Sequence, residues 1–150
     1  MNDFSVSVAK IAQILDLKNF TDNIDLKKIK ITSSDVNRPA LQLTGYFAHF
    51  EQSRIQMIGN VEYAYIQQMS DEEKRIRYSA FLQFEIPCVI FCRDLQPDAI
   101  FIEQAEKNHV PILGTSRPTS EFMAELIYTL AEKLAPSITV HGVLVDVYGE

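Results

Sequence analysis

Six consecutive residues, Gly114-Thr115-Ser116-Arg117-Pro118-Thr119, combine a flexible glycine, hydroxyl donors, a guanidinium and the start of a helical pattern. Between a strand and a helix, such residues can hold an anion, because amides at a helix amino terminus point outward and the helix dipole favours negative charge there. Gly114, Thr115, Ser116, Arg117 and Thr119 are therefore a candidate anion site, which Arg38 and Tyr46 could join from elsewhere in the chain. The plainer alternative is an ordinary strand-to-helix turn with Thr119 as the cap. His141 stands between Thr139-Val140 and Gly142, with Asp146 at the opposite parity of the same expected strand. Side chains alternate along a strand, so that parity argues against a His–Asp dyad within it. His49 and His109 lie in loop-like contexts, and for each histidine alone a structural role is the simpler reading.

The remaining chemistry is mostly excluded by spacing. The five glycines form neither a Walker A loop nor a dinucleotide fingerprint, and there is no paired-cysteine zinc pattern, His-Glu-x-x-His or Gly-x-Ser-x-Gly elbow. Cys88 and Cys92 fall on one expected strand, where four residues span roughly 13 Å, too far for a disulfide that needs Cα atoms within about 7 Å. Both read as free, buried core residues in a reducing compartment. These residues lack the makings of a complete active site, so no chemistry is expected of the chain alone.

Elements that would position these residues follow from periodicity. A short helix is expected over Val8, Ile11, Ala12 and Leu15, with Ser7 as its cap. Residues 29–47 alternate only briefly, around Asn37-Arg38-Pro39 and Gly45, and read as strands and loops. Then come a strand at 55–58 and helices at 61–69 and 71–84, the second opened by a Ser70/Glu73 capping box. A strand at 88–92, a helix with Pro97 at its first position, a strand at 110–113 and a helix at 119–134 complete the alternation. Met123, Leu126, Ile127, Leu130 and Leu134 form the expected apolar stripe of that last helix. Strand–helix alternation of this kind predicts an α/β domain, mainly a parallel sheet with flanking helices. Residues 138–148 read as a further strand that stops at the chain end, an awkward sheet edge from which a continuation of the natural chain is expected.

With 150 residues, 47% hydrophobic and 23% charged, the chain has the size and balance of one globular domain. No apolar run reaches the roughly 20 residues needed to span a bilayer, and no signal sequence opens the chain, so a cytoplasmic location without membrane contact is expected. A net charge of −6 argues against a nucleic-acid partner. The basic cluster Lys27-Lys28-Ile29-Lys30 reads as a solvated face.

Three separated segments carry a resemblance. They are Ser34-Asp35-Val36-Asn37-Arg38-Pro39-Ala40-Leu41-Gln42-Leu43-Thr44-Gly45-Tyr46-Phe47, then Arg54-Ile55-Gln56-Met57-Ile58-Gly59, and Leu134-Ala135-Pro136 followed by Thr139-Val140-His141-Gly142-Val143-Leu144-Val145-Asp146-Val147-Tyr148-Gly149. In this order the chain closely resembles the amino-terminal part of the bacterial HPr kinase/phosphorylase family. Ala40 stands where many relatives have glycine, and Ser137 where arginine is frequent. The resemblance implies an amino-terminal α/β domain at 1–135, similar in fold to the first domain of Mur ligases. Residues 136–150 would be a linker and the first strand of a carboxy-terminal kinase domain that is absent, with its P-loop and catalytic acids. It further implies a hexameric, bifunctional parent that uses ATP or pyrophosphate with Mg²⁺ to phosphorylate a serine of the phosphocarrier HPr, and removes that phosphate by phosphorolysis, in carbon catabolite control. His141 matches a histidine treated in the family as an active-site residue, a role with meaning only in the full-length enzyme.

Three functions are thus expected to compete. One is an inactive amino-terminal domain serving assembly or regulation of that kinase. Another is a free-standing sensor of an anionic metabolite, and the third a module that docks on its own kinase half or another protein.

Overall fold

The strands Ile55–Ile58, Val89–Phe91 and Ile112–Gly114 are buried at every position, which suits a sheet covered on both faces. The computed structural model describes residues 4–136. In chain order they form β1 (Val6–Ser7), α1 (Val8–Ile14), β2 (Lys18–Asn19), a 3₁₀ turn (Leu26–Lys28), β3 (Lys30–Ile31), β4 (Val36–Asn37) and α2 (Ala40–Leu43). There follow β5 (Ile55–Ile58), α3 (Asn60–Gln67), α4 (Asp71–Leu82), β6 (Val89–Phe91), α5 (Ala99–Lys107), β7 (Ile112–Gly114) and α6 (Thr119–Leu134).

Five strands make the main sheet in the order β2-β7-β6-β5-β4. The run from β4 to β7 is parallel, while β2 pairs antiparallel with β7, Lys18 opposite Gly114. A separate ribbon pairs β1 with β3, Val6 opposite Ile31. Alternation along each strand divides the core in two. Ile55, Met57, Cys88, Ile90, Cys92 and Leu113 face α1 and α6, packing on Ile11, Phe122, Leu126 and Leu130. Ile58, Val89, Phe91 and Ile112 face α3, α4 and α5, packing on Ile66, Tyr78, Phe81 and Phe101. The expected α/β architecture is thus present, as a mostly parallel sheet with helices on both faces.

Several local expectations are corrected. The helix after β6 is not opened by Pro97 at its first position, because Asp98 accepts the Phe101 N–H at 2.8 Å and takes the cap, leaving Pro97 outside. Thr119 does not cap α6; Pro118 occupies the cap position, and Thr119 is already helical. Of the expected α6 stripe, Leu126 and Leu130 are buried and Met123 and Leu134 pack on the same core, so only Ile127 departs. Phe122, Leu126, Thr129 and Leu130 are buried, whereas Ile127 is 39% exposed. A step of one residue rotates a helical face by about 100°, and the larger Phe122 ring sets which face meets the sheet. Within 29–47 a short helix, α2, interrupts the expected strands and loops and ends at Gly45, whose φ of 96° suits glycine in a helix-terminating turn. The expected strand at 138–148 lies outside the described residues.

Candidate functional site

The carboxyl ends of β4, β5, β6 and β7 lie along one edge of the sheet, where crevices of open α/β sheets bind ligands. At the end of β5, Gly59 precedes α3, and Glu62 reaches back from the third helical position to accept the Gly59 N–H at 2.8 Å. The same carboxylate accepts Arg38 Nε at 3.0 Å and Nη2 at 2.8 Å, a two-pronged pair in which Glu62 is buried and Arg38 about one-third exposed. This ties the end of β4 to the start of α3. Beyond β6, Arg93 and Asp94 both have positive φ, 60° and 59°, and the Leu95 N–H closes the turn on the Cys92 carbonyl at 3.0 Å. Two consecutive left-handed residues without glycine cost energy. They are held by the Arg93 N–H donating to the Arg117 carbonyl and the Asp94 N–H donating to the Thr115 carbonyl.

Two hollows open along this edge. A hollow of about 230 Å³ is lined by Arg38, Asn60, Val61, Arg93, Thr119 and Ser120. The other, about 150 Å³, includes Lys18, Phe20, Asp94, Gly114, Thr115 and Ser116. The six-residue turn picked out in the sequence is therefore divided between them. Arg117 lines neither, because its Nη1 donates to the Leu15 carbonyl at 3.3 Å and pairs with Glu125 at 3.2 Å, with the guanidinium over the Phe122 ring. Gly114 gives room to Phe20: a Cβ there would come within 2.7 Å of that ring. The Thr115 hydroxyl accepts the Arg117 N–H at 3.3 Å within the turn.

Thr119 differs from these. It is buried, and its Oγ1 makes no hydrogen bond among the described residues, resting beside the Cys92 thiol. A Cβ on Gly59 would lie 2.6 Å from that oxygen and 2.9 Å from Arg38 Nη2, so glycine leaves the space that the two polar groups flank. Arg38, expected as a possible contributor, does line the hollow beside Thr119, whereas Tyr46 is exposed after α2 and does not. His49 and His109 sit at positive φ in loops, and His141 lies outside the described residues. Asn60, Arg93 and Ser120 were not legible as site residues. Their one signal was position, each following directly on a strand or opening a helix.

Burial pushes the Cys88 thiol up to about 12. It raises Cys92 to about 11, with Thr119 and Arg38 pulling slightly the other way. At neutral pH both are protonated and unsuited to attack.

The family described as HPr Serine kinase N terminus matches residues 6–130. The chain belongs to that family. It is 47% identical over 147 residues to the HPr kinase/phosphorylase of Lachnoclostridium phytofermentans, covering 98% of this chain and 48% of that protein. The HPr kinase/phosphorylase of Caldicellulosiruptor bescii is 41% identical over 98% of this chain and 47% of its own length. The chain thus spans about half the length of these curated relatives. In fold it is similar to the CBS and DRTGG domains of the regulatory region of Clostridium perfringens pyrophosphatase, crystallised with the activator diadenosine tetraphosphate. That likeness has a TM-score of 0.56 at 17% identity and covers 94% of this chain and 57% of that one.

Proposed function

We propose that this chain is the amino-terminal domain of a bifunctional HPr serine kinase/phosphorylase, serving its assembly or regulation in carbon catabolite control. The observation that carries this is the pairing of family membership with coverage: 98% of the chain aligns to 48% of an HPr kinase/phosphorylase. In this reading residues 1–135 form the domain and 136–150 lead into a kinase half. The full-length protein is cytoplasmic and hexameric, and acts on a serine of HPr with ATP or pyrophosphate and Mg²⁺. A free-standing sensor is the reading these relatives do not favour.

Described residues do not fit a magnesium–nucleotide group. Among them no three His, Cys, Asp or Glu side chains gather as metal ligands, and Gly45, Gly59 and Gly114 are too dispersed for a phosphate-cradling loop. No catalytic step is therefore assigned to them. His141 is the one residue of this chain proposed for the active site of the whole enzyme, where an imidazole could hold or give a proton at a phosphate oxygen. No helix of the described residues is long and apolar enough to cross a membrane.

The test is direct. Purified chain mixed with HPr, ATP and Mg²⁺ should leave HPr unphosphorylated, and the chain should co-purify with a separately expressed kinase half. Phosphate transferred to HPr by this chain alone would overturn the proposal, as would a kinase half that assembles and is regulated normally without it.

A further inference from the structure

We propose that the hollow between the amino ends of α3 and α6 is a phosphate site, taking inorganic phosphate or the phosphate group of a small ester. This goes beyond the kinase reading and rests on different observations. The first is the Thr119 hydroxyl, buried with 5% of its residue surface exposed, which has the Cys92 thiol beside it and no nitrogen or oxygen partner among the described residues. A buried hydroxyl with so weak a partner is costly, and Thr119 lies with Arg38 in the lining of the hollow.

Charge is the second. Arg38 and Arg93 both line the hollow, and no carboxylate does. Glu62 occupies Nε and Nη2 of Arg38, leaving Nη1 without a hydrogen bond among the described residues, and the Arg93 guanidinium likewise has no hydrogen bond or ion pair there. The third is α6 itself, a 16-residue helix whose cap position holds a proline with no side-chain acceptor. Its opening amides at Thr119 and Ser120 thus present donors and the positive end of the dipole to the same space. Two guanidinium groups, a hydroxyl and helix amides around about 230 Å³ suit a compact dianion with several acceptor oxygens. The left-handed Arg93–Asp94 turn supplies position rather than chemistry, since its two backbone bonds to the β7–α6 connection hold Arg93 at this edge.

The test is an amide-resolved NMR titration of the full chain with inorganic phosphate at constant ionic strength, repeated with glycerol 2-phosphate. Saturable shifts at Asn60, Thr119 and Ser120 are expected. Arg93→Gln and Thr119→Val should each weaken binding about tenfold. Thr119→Val should move the melting temperature by no more than a few degrees, because the hydroxyl has only the weakly hydrogen-bonding Cys92 thiol to lose. Lys133→Gln removes the same charge at the other end of α6 and should leave binding unchanged. Tighter binding of glycerol 2-phosphate assigns the site to an ester, and equal binding to inorganic phosphate. Uniform, non-saturating shifts would overturn the proposal, as would an equal effect of Lys133→Gln and Arg93→Gln. HPr and ATP are absent from this measurement, so its failure leaves the proposed kinase role standing.

Discussion

At the scale of single residues, Glu62 is the most exacting group, a buried carboxylate with three donors from Arg38 and Gly59. Removing one partner of such a pair strands a charge in the interior. Arg38→Ala should therefore cost about 2 kcal/mol in urea unfolding, less than for a fully buried pair because Arg38 is partly exposed to water. A cost below about 0.5 kcal/mol, the level of ordinary surface changes, would show that water replaces the guanidinium. The thiols make a separate prediction. In the fold Cys88 titrates near 12 and Cys92 near 11, against an ordinary value of 9.0. Above about pH 9 the unfolded chain loses protons that the folded chain keeps, so stability is complete below that pH and falls as pH rises. The slope is about 1.4 kcal/mol per pH unit for each such group. Melting temperature followed from pH 8 to alkaline conditions should decline less steeply in Cys88→Ala than in the parent. Equal slopes would mean the Cys88 thiol is not held protonated by the fold. The burial of these cysteines was legible from their apolar strand, whereas the hollow was not: Arg38, Gly59, Arg93 and Thr119 lie far apart in the sequence and meet only through the sheet.

Two helix starts in this chain are written in local side-chain chemistry, which is why they could be read. Ser7 accepts the Lys10 N–H at 3.0 Å and Ser70 accepts the Glu73 N–H at 3.1 Å, though the return bond from the Glu73 side chain that a full capping box would add is not among those of the described residues. Helix faces are set by the sheet they meet, and there reading was incomplete: Met123, Leu126, Leu130 and Leu134 of the expected α6 stripe pack on the core, but Phe122 is buried in place of Ile127. Asp98 joins both levels. It caps α5 through the Phe101 N–H, accepts the Tyr78 hydroxyl of α4 at 2.8 Å and pairs with Lys74 at 3.2 Å. Burial first, then the hydrogen bond and charge of Asp98, raise Tyr78 well above the ordinary phenol range, so the hydroxyl stays a donor. Asp98→Ala should cost about 2 kcal/mol, the sum of a lost cap and an orphaned buried hydroxyl. A double-mutant cycle with Tyr78→Phe should return a coupling of about 1 kcal/mol. Zero coupling would mean that α4 and α5 are joined only by their apolar contacts.

For the molecule as a whole, the consequence of a doubly covered sheet is that neither core is dispensable. β6 contributes Ile90 to one core and Val89 and Phe91 to the other, so loosening either face exposes the central strand. The parallel run from β5 to β7 could be anticipated because each of these strands is followed by a helical pattern that returns the chain to the sheet's start. Two-residue β2 could not, since so short a segment carries no periodicity and is held by pairing with β7. Among the described residues, one core draws on Val6 to Leu134 and the other on Phe20 to Ile112. A chain cut after Pro136 should therefore unfold in one cooperative transition, with far-ultraviolet and aromatic circular dichroism changing together and a midpoint near that of the 150-residue chain. Coincident transitions would place the boundary of the folding unit where the proposed domain division puts it, close to residue 135. Loss of cooperativity, or a midpoint lowered by many degrees, would mean that residues beyond 136 complete one of the cores and that the division falls further along the chain.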